Sequence, residues 1–566
     1  MTRARLGALA VVALMAPPVL GLTAATQELL HERGALIIVV PGMSFEEMMS
    51  LPEAAALARA GGVGLLANGD EFRIRRVPLS PGGPPPGRRE RFLLLDRDRP
   101  TLGQDIREAV SSFPAEELIV ILLSQNPSAE MLAEGDELEP IVVAIGEPNT
   151  LFPDDGSLGS LTSDSTRRRG VVTGADVRVT DVSYLGGPTD ELPAGSAIEI
   201  IEGPPPFELH ERYLAQRRMY IPIGAAAAAY VIGFGLVAAA FLAAGTRIGA
   251  RWRRVAGWIS LSVAMLAVGL LAAGHLPELT YGTVVPFIAL VTVFGTLAFA
   301  PLERRDVLLV PAGIGLAVLA FFVVEAALGW SAMLTPFVGG SELDGGRFYG
   351  MPNVCIGLLA GACFWVAQRL RTVAGVWLLV GAALFAGLPF LGANLGGAAT
   401  LFAGAGLWLA LRERERLGTW KGLAVFLGFT LVGTALILLV HAISPIETHV
   451  SRFEEQVSGL GGVLREFTDR LQVGFDLIAR NPLALIPTLG LPVAILAVLR
   501  PPSALRPSLE RSPAWRDAIL ATLLTGVVAY VLNDSGPAAA GFAFGVGLGG
   551  LMGVPLLLGA GKMVNR

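Results

Sequence analysis

The chain has 566 residues, of which 53% are hydrophobic and only 16% charged, and its mean hydropathy is +0.59. So apolar a composition excludes a soluble protein of this size and places most of the chain in lipid. The net charge of −5 argues against nucleic acid as a partner, and the two cysteines, Cys355 and Cys363, share one apolar segment, which leaves neither a disulfide framework nor a zinc site.

In chain order, residues 1–25 open with Arg3 and Arg5, continue as an apolar run, and end near Thr23-Ala24-Ala25. This pattern reads as a secretory signal peptide, with an uncleaved N-terminal anchor as the alternative. Residues 26–218 have soluble character. Strand-like runs fall at Ala35–Val40, Gly62–Ala67, Phe92–Leu95, Leu118–Leu123, Ile141–Ile145 and Ala197–Ile201. Helix-like segments lie between them at Ser44–Ala60, Gln104–Ser112 and Asp176–Leu185. Apolar strands alternating with amphipathic helices predict an α/β sheet buried on both faces. Pro78–Arg89 and Asp154–Arg169 read as loops.

From Met219 to the end, apolar segments of spanning length recur, and we count about eleven: 219–244, 254–273, 281–300, 307–329, 353–368, 373–391, 396–411, 421–443, 483–499, 515–532 and 537–560. The fold class expected is thus an extracytoplasmic α/β domain joined to an all-α polytopic transmembrane domain. Basic residues cluster after alternate spans: Arg247, Arg251, Arg253 and Arg254, then Arg304 and Arg305, Arg369 and Arg371, Arg412 to Lys421, Arg500 to Arg511, and Lys562 with Arg566. The loops near His275, Gly392 and Asp534 carry no Lys or Arg. The positive-inside rule then puts the C-terminus in the cytoplasm and the α/β domain on the outer side of a plasma membrane. One outer loop, 444–482, carries apolar residues at helical spacing together with Arg452, Arg465, Arg470 and Arg480. It reads as a helix lying on lipid or under the outer domain.

Three stretches carry a resemblance. They are Ala35-Leu-Ile-Ile-Val-Val-Pro-Gly-Met-Ser-Phe-Glu-Glu47 with Gly61–Leu66, then Glu117–Leu122, and Leu161–Val172 with Gly174–Arg178 and Val182–Gly186. Together they resemble the alkaline phosphatase-like superfamily, truncated and fused to a polytopic membrane domain as in envelope proteins of bacteria. The likeness extends to Gly346–Gly350, Asn353, Gly392–Gly397, His449 and Arg452-Phe453. Active members of that superfamily place a metal-binding Asp at the end of the first strand. Here that place holds Pro41-Gly42, and the outer domain has only His31 and His210. The resemblance therefore implies a degenerate, catalytically inactive domain with no metal and no cofactor. Asp164, Asp176 and Asp181 are the alternative, as ligands of a lone hard cation.

The candidate ligand-binding residues lie near one membrane face. Glu325 sits inside an apolar span, where an acid costs roughly 2.5–3.5 kcal/mol and therefore suggests function, the bland alternative being a carboxylate reaching interfacial water. Asp344, Arg347 and Tyr349 stand in the Gly-rich stretch Ser341–Asn353. Arg347 is either a fork for an anionic headgroup or the simple partner of Asp344, and Tyr349 either a site residue or an interface aromatic. Asn353 and Asn394 are either helix caps or cavity-lining groups. His449 and Arg452, one helical turn apart, are either part of the site or exposed surface. Gly233, Gly235, Gly545, Gly547, Gly549 and Gly550 predict close helix packing.

These readings converge on an envelope protein that binds or translocates an anionic lipid or lipid-linked intermediate without hydrolysing it. The alternatives are a membrane-embedded transferase or phosphatase acting on a lipid phosphate, and a structural subunit with an envelope protein partner.

Overall fold

A computed structural model describes residues 32–67, 88–189, 195–338, 348–444, 482–533 and 536–564, with isolated positions between these ranges. The expected signal segment and nearly all of the 444–482 loop lie outside the described residues.

The N-terminal domain is a mixed α/β sheet. Its strands are β1 (Arg33–Val39), β2 (Gly61–Ala67), β3 (Arg89–Leu94), β4 (Glu117–Leu123), β5 (Glu139–Gly146), β6 (Ser160–Ser163), β7 (Val171–Thr173) and β8 (Ile198–Ile201). They are arranged β3-β1-β4-β5-β2-β6-β8, with β7 beside β2. Its helices are α1 (Phe45–Ser50), α2 (Pro52–Ala60), α3 (Leu102–Ser111), α4 (Ala129–Glu134) and α5 (Gly174–Tyr184). Side-chain alternation along the strands makes two cores. Leu36, Ile38, Val120 and Leu122 face α1, α2 and α3, while Ile37, Val39, Ile119 and Ile121 face α5.

Two departures from the sequence reading have local causes. The expected helix Ser44–Ala60 is two helices, because Leu51 precedes Pro52 and takes an extended conformation (φ −75°, ψ 120°). The Asp154–Arg169 loop contains β6, a strand too polar to show in the hydropathy pattern. The sheet also does not carry an alkaline phosphatase fold. Strand β5 runs antiparallel to both β4 and β2. The end of β1 is closed by its own backbone, with Gly42 N–H donating to the Gln125 carbonyl at 3.2 Å, and by Arg97 donating to the Gly42 carbonyl at 2.6 Å.

The C-terminal region is helical. Its elements are α6 (Phe207–Ala244), α7 (Ala250–Leu261), α8 (Val263–Ala272), α9 (Tyr281–Leu297), α10 (Ala300–Glu303), α11 (Leu309–Ala327), α12 (Cys355–Ala367), α13 (Thr372–Gly387), α14 (Leu395–Arg412), α15 (Arg414–Ile443), α16 (Leu485–Leu499), α17 (Arg506–Arg511), α18 (Pro513–Leu532) and α19 (Gly536–Val564). Among the described residues seven helices are long and apolar enough to cross a membrane, or eight if α7 and α8, bent by 40° at Ser262, form one span. This corrects the expected eleven. Helices α12, α13 and α16 have 13, 16 and 15 residues. At 1.5 Å per residue they reach about 20–24 Å, short of the roughly 30 Å hydrocarbon layer.

Short α12 is nonetheless the centre of the bundle. Every one of its residues is buried, between α11, α13, α18 and α19. Gly357 permits that packing, since a Cβ there would sit 2.2 Å from the Ala539 carbonyl oxygen. Gly547, Gly549 and Gly550 pack as closely, against Leu523, Ser260 and Ile519. Gly233 does not, for nothing lies within 4 Å of a Cβ placed on it.

The sheet domain and the bundle are joined by α6, which starts among the sheet-domain side chains and continues into the apolar region. His210 Nε2 meets Asp136 Oδ2 at 2.9 Å, both buried, and Tyr213 belongs to the sheet core. Two residues of the glycine-rich stretch also enter that core: Leu343 and Phe348, 1% and 4% exposed.

Candidate functional site

The polar residues nearest the sheet domain are organised by three tight turns. The first follows α11. Gly329 and Trp330 both adopt left-handed backbone (φ 66° and 61°), which reverses the chain and lets Trp330 N–H reach the Glu325 carbonyl at 2.8 Å. The reversal folds Ser331–Leu334 back over the helix end, so that the Ala332 amide donates to Glu325 Oε2 at 3.3 Å.

The second turn is Ala273–His275, after α8. Gly274 lies so close to the first turn that a Cβ would meet the Ala332 oxygen at 2.2 Å, and only glycine allows the approach. That approach brings His275 Nε2 onto Glu325 Oε1. The Glu325 side chain is 1% exposed, whereas His275 is 35% exposed. A buried carboxylate in an apolar helix is costly unless it is paired, and His275 with the Ala332 amide supplies the pairing. The loop carrying His275 is gripped by α6: Arg212 donates to the carbonyls of Gly274, Leu276 and Pro277 at 2.6, 2.5 and 3.1 Å.

The third turn, Ser163–Val171, belongs to the sheet domain. Its anchor is Asp176, 0% exposed, which accepts from Ser163 Oγ at 2.8 Å, Ser165 Oγ at 2.5 Å, Thr173 N–H at 2.8 Å and Ser196 N–H at 2.9 Å. With the base of the turn fixed, Arg167 and Arg168 project from its tip. Arg168 donates to the carbonyls of Phe348, Gly329 and Trp330 at 2.5, 2.8 and 3.4 Å. Arg167 lies over the Tyr349 ring at 4.1 Å.

The structure brings several sequence candidates together and separates others. Asn394 and Asn353 meet. Asn394 Nδ2 donates to Asn353 Oδ1 and to the Met351 carbonyl, both at 2.8 Å, and its Oδ1 accepts from Gly397 N–H at 2.7 Å. Asn394 is therefore the N-cap of α14 and is 0% exposed. Tyr349 sits with Arg167, and Glu325 with His275. Asp344, Arg347, His449 and Arg452 lie outside the described residues. Of the three proposed cation ligands, Asp164 is exposed, Asp176 is taken up by hydroxyls and amides, and Asp181 is buried with neither carboxylate oxygen hydrogen-bonded among the described residues. Burial, and then the nearby charge of Glu90, push the Asp181 carboxyl up to about 8. Among the described residues no three His, Cys, Asp or Glu side chains converge as a metal site would need.

The sequence reading missed His275, Arg168 and Arg212. The lone His in a loop without Lys or Arg, and the run Arg167-Arg168-Arg169, were the signals that pointed to them.

Together these groups can hold a half-exposed imidazole against a buried carboxylate, beneath a sheet domain latched by a guanidinium. That arrangement can accept an anion at His275, or pass a proton between His275 and a ligand. No family model, no curated protein and no solved structure matches this chain, so the arrangement stands on its own geometry and not on the phosphatase resemblance.

Proposed function

We propose that this chain is a cell-envelope membrane protein that binds an anionic lipid or lipid-linked intermediate, and holds or moves it without hydrolysis, at the junction of sheet domain and bundle. On this reading the sheet domain lies on the extracytoplasmic side and covers the site. The observation that carries the proposal is the Glu325–His275 pair. An acid fully buried at the end of an apolar helix is costly, and it is retained where it serves binding or transport. His275, the exposed member, is the group that reaches the ligand, and Glu325 keeps it oriented. Basic clusters at the far ends of the spans support the orientation.

The same pair favours a second reading. A carboxylate that orients a His is also the arrangement of a general base. The chain would then transfer a group from a lipid-phosphate donor to an acceptor.

One experiment separates the two. The full chain is placed in phosphatidylcholine nanodiscs, and binding of a polyprenyl phosphate is measured for wild type, His275→Ala and Glu325→Gln. Loss of binding on the order of tenfold in both variants, about 1.4 kcal/mol, supports the binding reading. Unchanged binding in both rejects it. Unchanged binding with loss of product from a lipid-phosphate donor selects the transferase.

A further inference from the structure

A groove of about 390 Å³ lies between α6 and α7, well away from the Glu325–His275 pair in the chain. Phe234, Val237 and Phe241 form one wall, and Trp252, Val255 and Ile259 the other. The one hydroxyl in the lining, of Tyr230, is already engaged with Ser262 Oγ at 2.6 Å. Apart from the Trp252 indole at its end, the lining is hydrocarbon, and so is its occupant there. Gly233 leaves it open, with no atom within 4 Å of its missing Cβ. Only 17% of the apolar window of α6 is buried by the rest of the chain, so this face meets lipid.

Size selects a single hydrocarbon chain. From Tyr230 to Phe241 the groove runs about 17 Å along α6, at 1.5 Å per residue, or roughly half the hydrocarbon layer. A lipid tail in one leaflet has the shape the groove offers.

Charge selects the headgroup. The groove opens where α6 turns into α7, and Arg247 and Arg251 stand there, both exposed. Neither is ion-paired among the described residues, whereas Arg254 is held by Glu303 at 2.9 Å. The first turn of α7 has no side-chain cap, so its leading amides also face that end. Trp252 stands beside them, as aromatics do at headgroup level.

We infer that this groove is a specific site for an anionic phospholipid, with one acyl chain along Phe234–Phe241 and its phosphate at Arg247 and Arg251. The site is independent of the function proposed above.

The test uses the full chain and two probes with identical acyl chains, phosphatidylglycerol and phosphatidylcholine, counted by mass on the intact protein. The expected result is selective retention of one phosphatidylglycerol. Arg247→Gln and Arg251→Gln each lower that retention about fivefold and leave phosphatidylcholine unchanged, the loss expected for one surface cation against an anionic lipid. Both arginines are exposed, so these variants keep the fold. Gly233→Phe fills the groove and lowers retention of both lipids. His275→Ala and Glu325→Gln leave this binding intact, so failure here and failure of the junction site are read separately. Equal retention of the two lipids, or indifference to Gly233→Phe, overturns the inference. So does a two-chain mass that Gly233→Phe dissociates, which would assign the groove to a second copy.

Discussion

Arg168 of the sheet domain donates from Nε to the carbonyl of Phe348 at 2.5 Å, and the same guanidinium reaches the Gly329 and Trp330 carbonyls. One side chain thus fastens the sheet domain to the turn after α11 and to the segment that begins at Phe348. Hydrogen bonds from a charged donor contribute about 1.5–3 kcal/mol each when buried, and less at this half-exposed position. Arg168→Ala is expected to weaken the docking by about 2–4 kcal/mol. Arg168→Lys recovers little, because an ammonium cannot span three carbonyls as a planar fork does. Hydrogen exchange on the full chain reads this as faster exchange confined to 329–334 and 348–353. Unchanged protection there would show that the latch does not hold the domain.

Glu325 and His275 form an unequal pair, and their variants should differ accordingly. His275→Ala leaves a buried carboxylate with only the Ala332 amide, and breaking such a pair costs about 3–5 kcal/mol. Glu325→Gln keeps an acceptor for that amide and removes the charge, so it costs less. Thermal unfolding in detergent should rank wild type above Glu325→Gln above His275→Ala. The reverse order of the two variants would mean that His275 is not what offsets the burial of Glu325.

Asn394 both donates and accepts, which makes its substitutions diagnostic. Asn394→Ala removes the cap of α14 and the bonds to Met351 and Asn353, a loss of about 1–3 kcal/mol. Asn394→Asp preserves the cap but points a charged acceptor at two oxygens in a site with 0% exposure. It should be the more damaging of the two. If thermal unfolding finds Asp the milder replacement, the Nδ2 bonds do not contribute as described.

Asp181 gives a pH dependence of definite sign. Its carboxyl titrates at about 8 in the folded chain against 3.8 ordinarily, so the folded state binds the proton more tightly. Its contribution is fully present below about pH 4, falls as pH rises, and is gone above about pH 8. Asp181→Asn, neutral throughout, should show no such loss. Hydrogen exchange in β1, β4 and α5 should therefore diverge between wild type and variant from pH 4 to 8 and then run parallel. A constant difference across that range would sink the assignment.

The sheet was readable because β1, β4 and β5 are short continuous apolar runs bounded by turn residues, the sequence of a strand buried on both faces. Strand β6 was not, since Ser160, Thr162 and Ser163 are polar, and Ser160 and Ser163 are buried only because β2 and Asp176 are brought to them. The span count went too high because α12, α13 and α16 are as hydrophobic as true spans, and only their length sets them apart. The site was half legible. Glu325 stands out in an apolar helix, and the turn around Tyr349 stands out by its glycines. Their partners do not, because His275 lies 50 residues and Arg168 180 residues from the groups they hold. The cation alternative for Asp176 could not be weighed from the sequence for the same reason, the serines that donate to it being neighbours only through the fold.

Leu343 and Phe348 complete the core of a domain whose last strand, Ile198–Ile201, leaves the ribosome long before them. At about 5–20 residues per second the delay is on the order of ten seconds. Until it ends, the young sheet keeps an open apolar seam while the segments through Leu309–Ala327 are being delivered to the bilayer. Maturation of the N-terminal half is thereby tied to completion of the helices behind it, and a chain that stops short of Phe348 leaves its first domain unsealed.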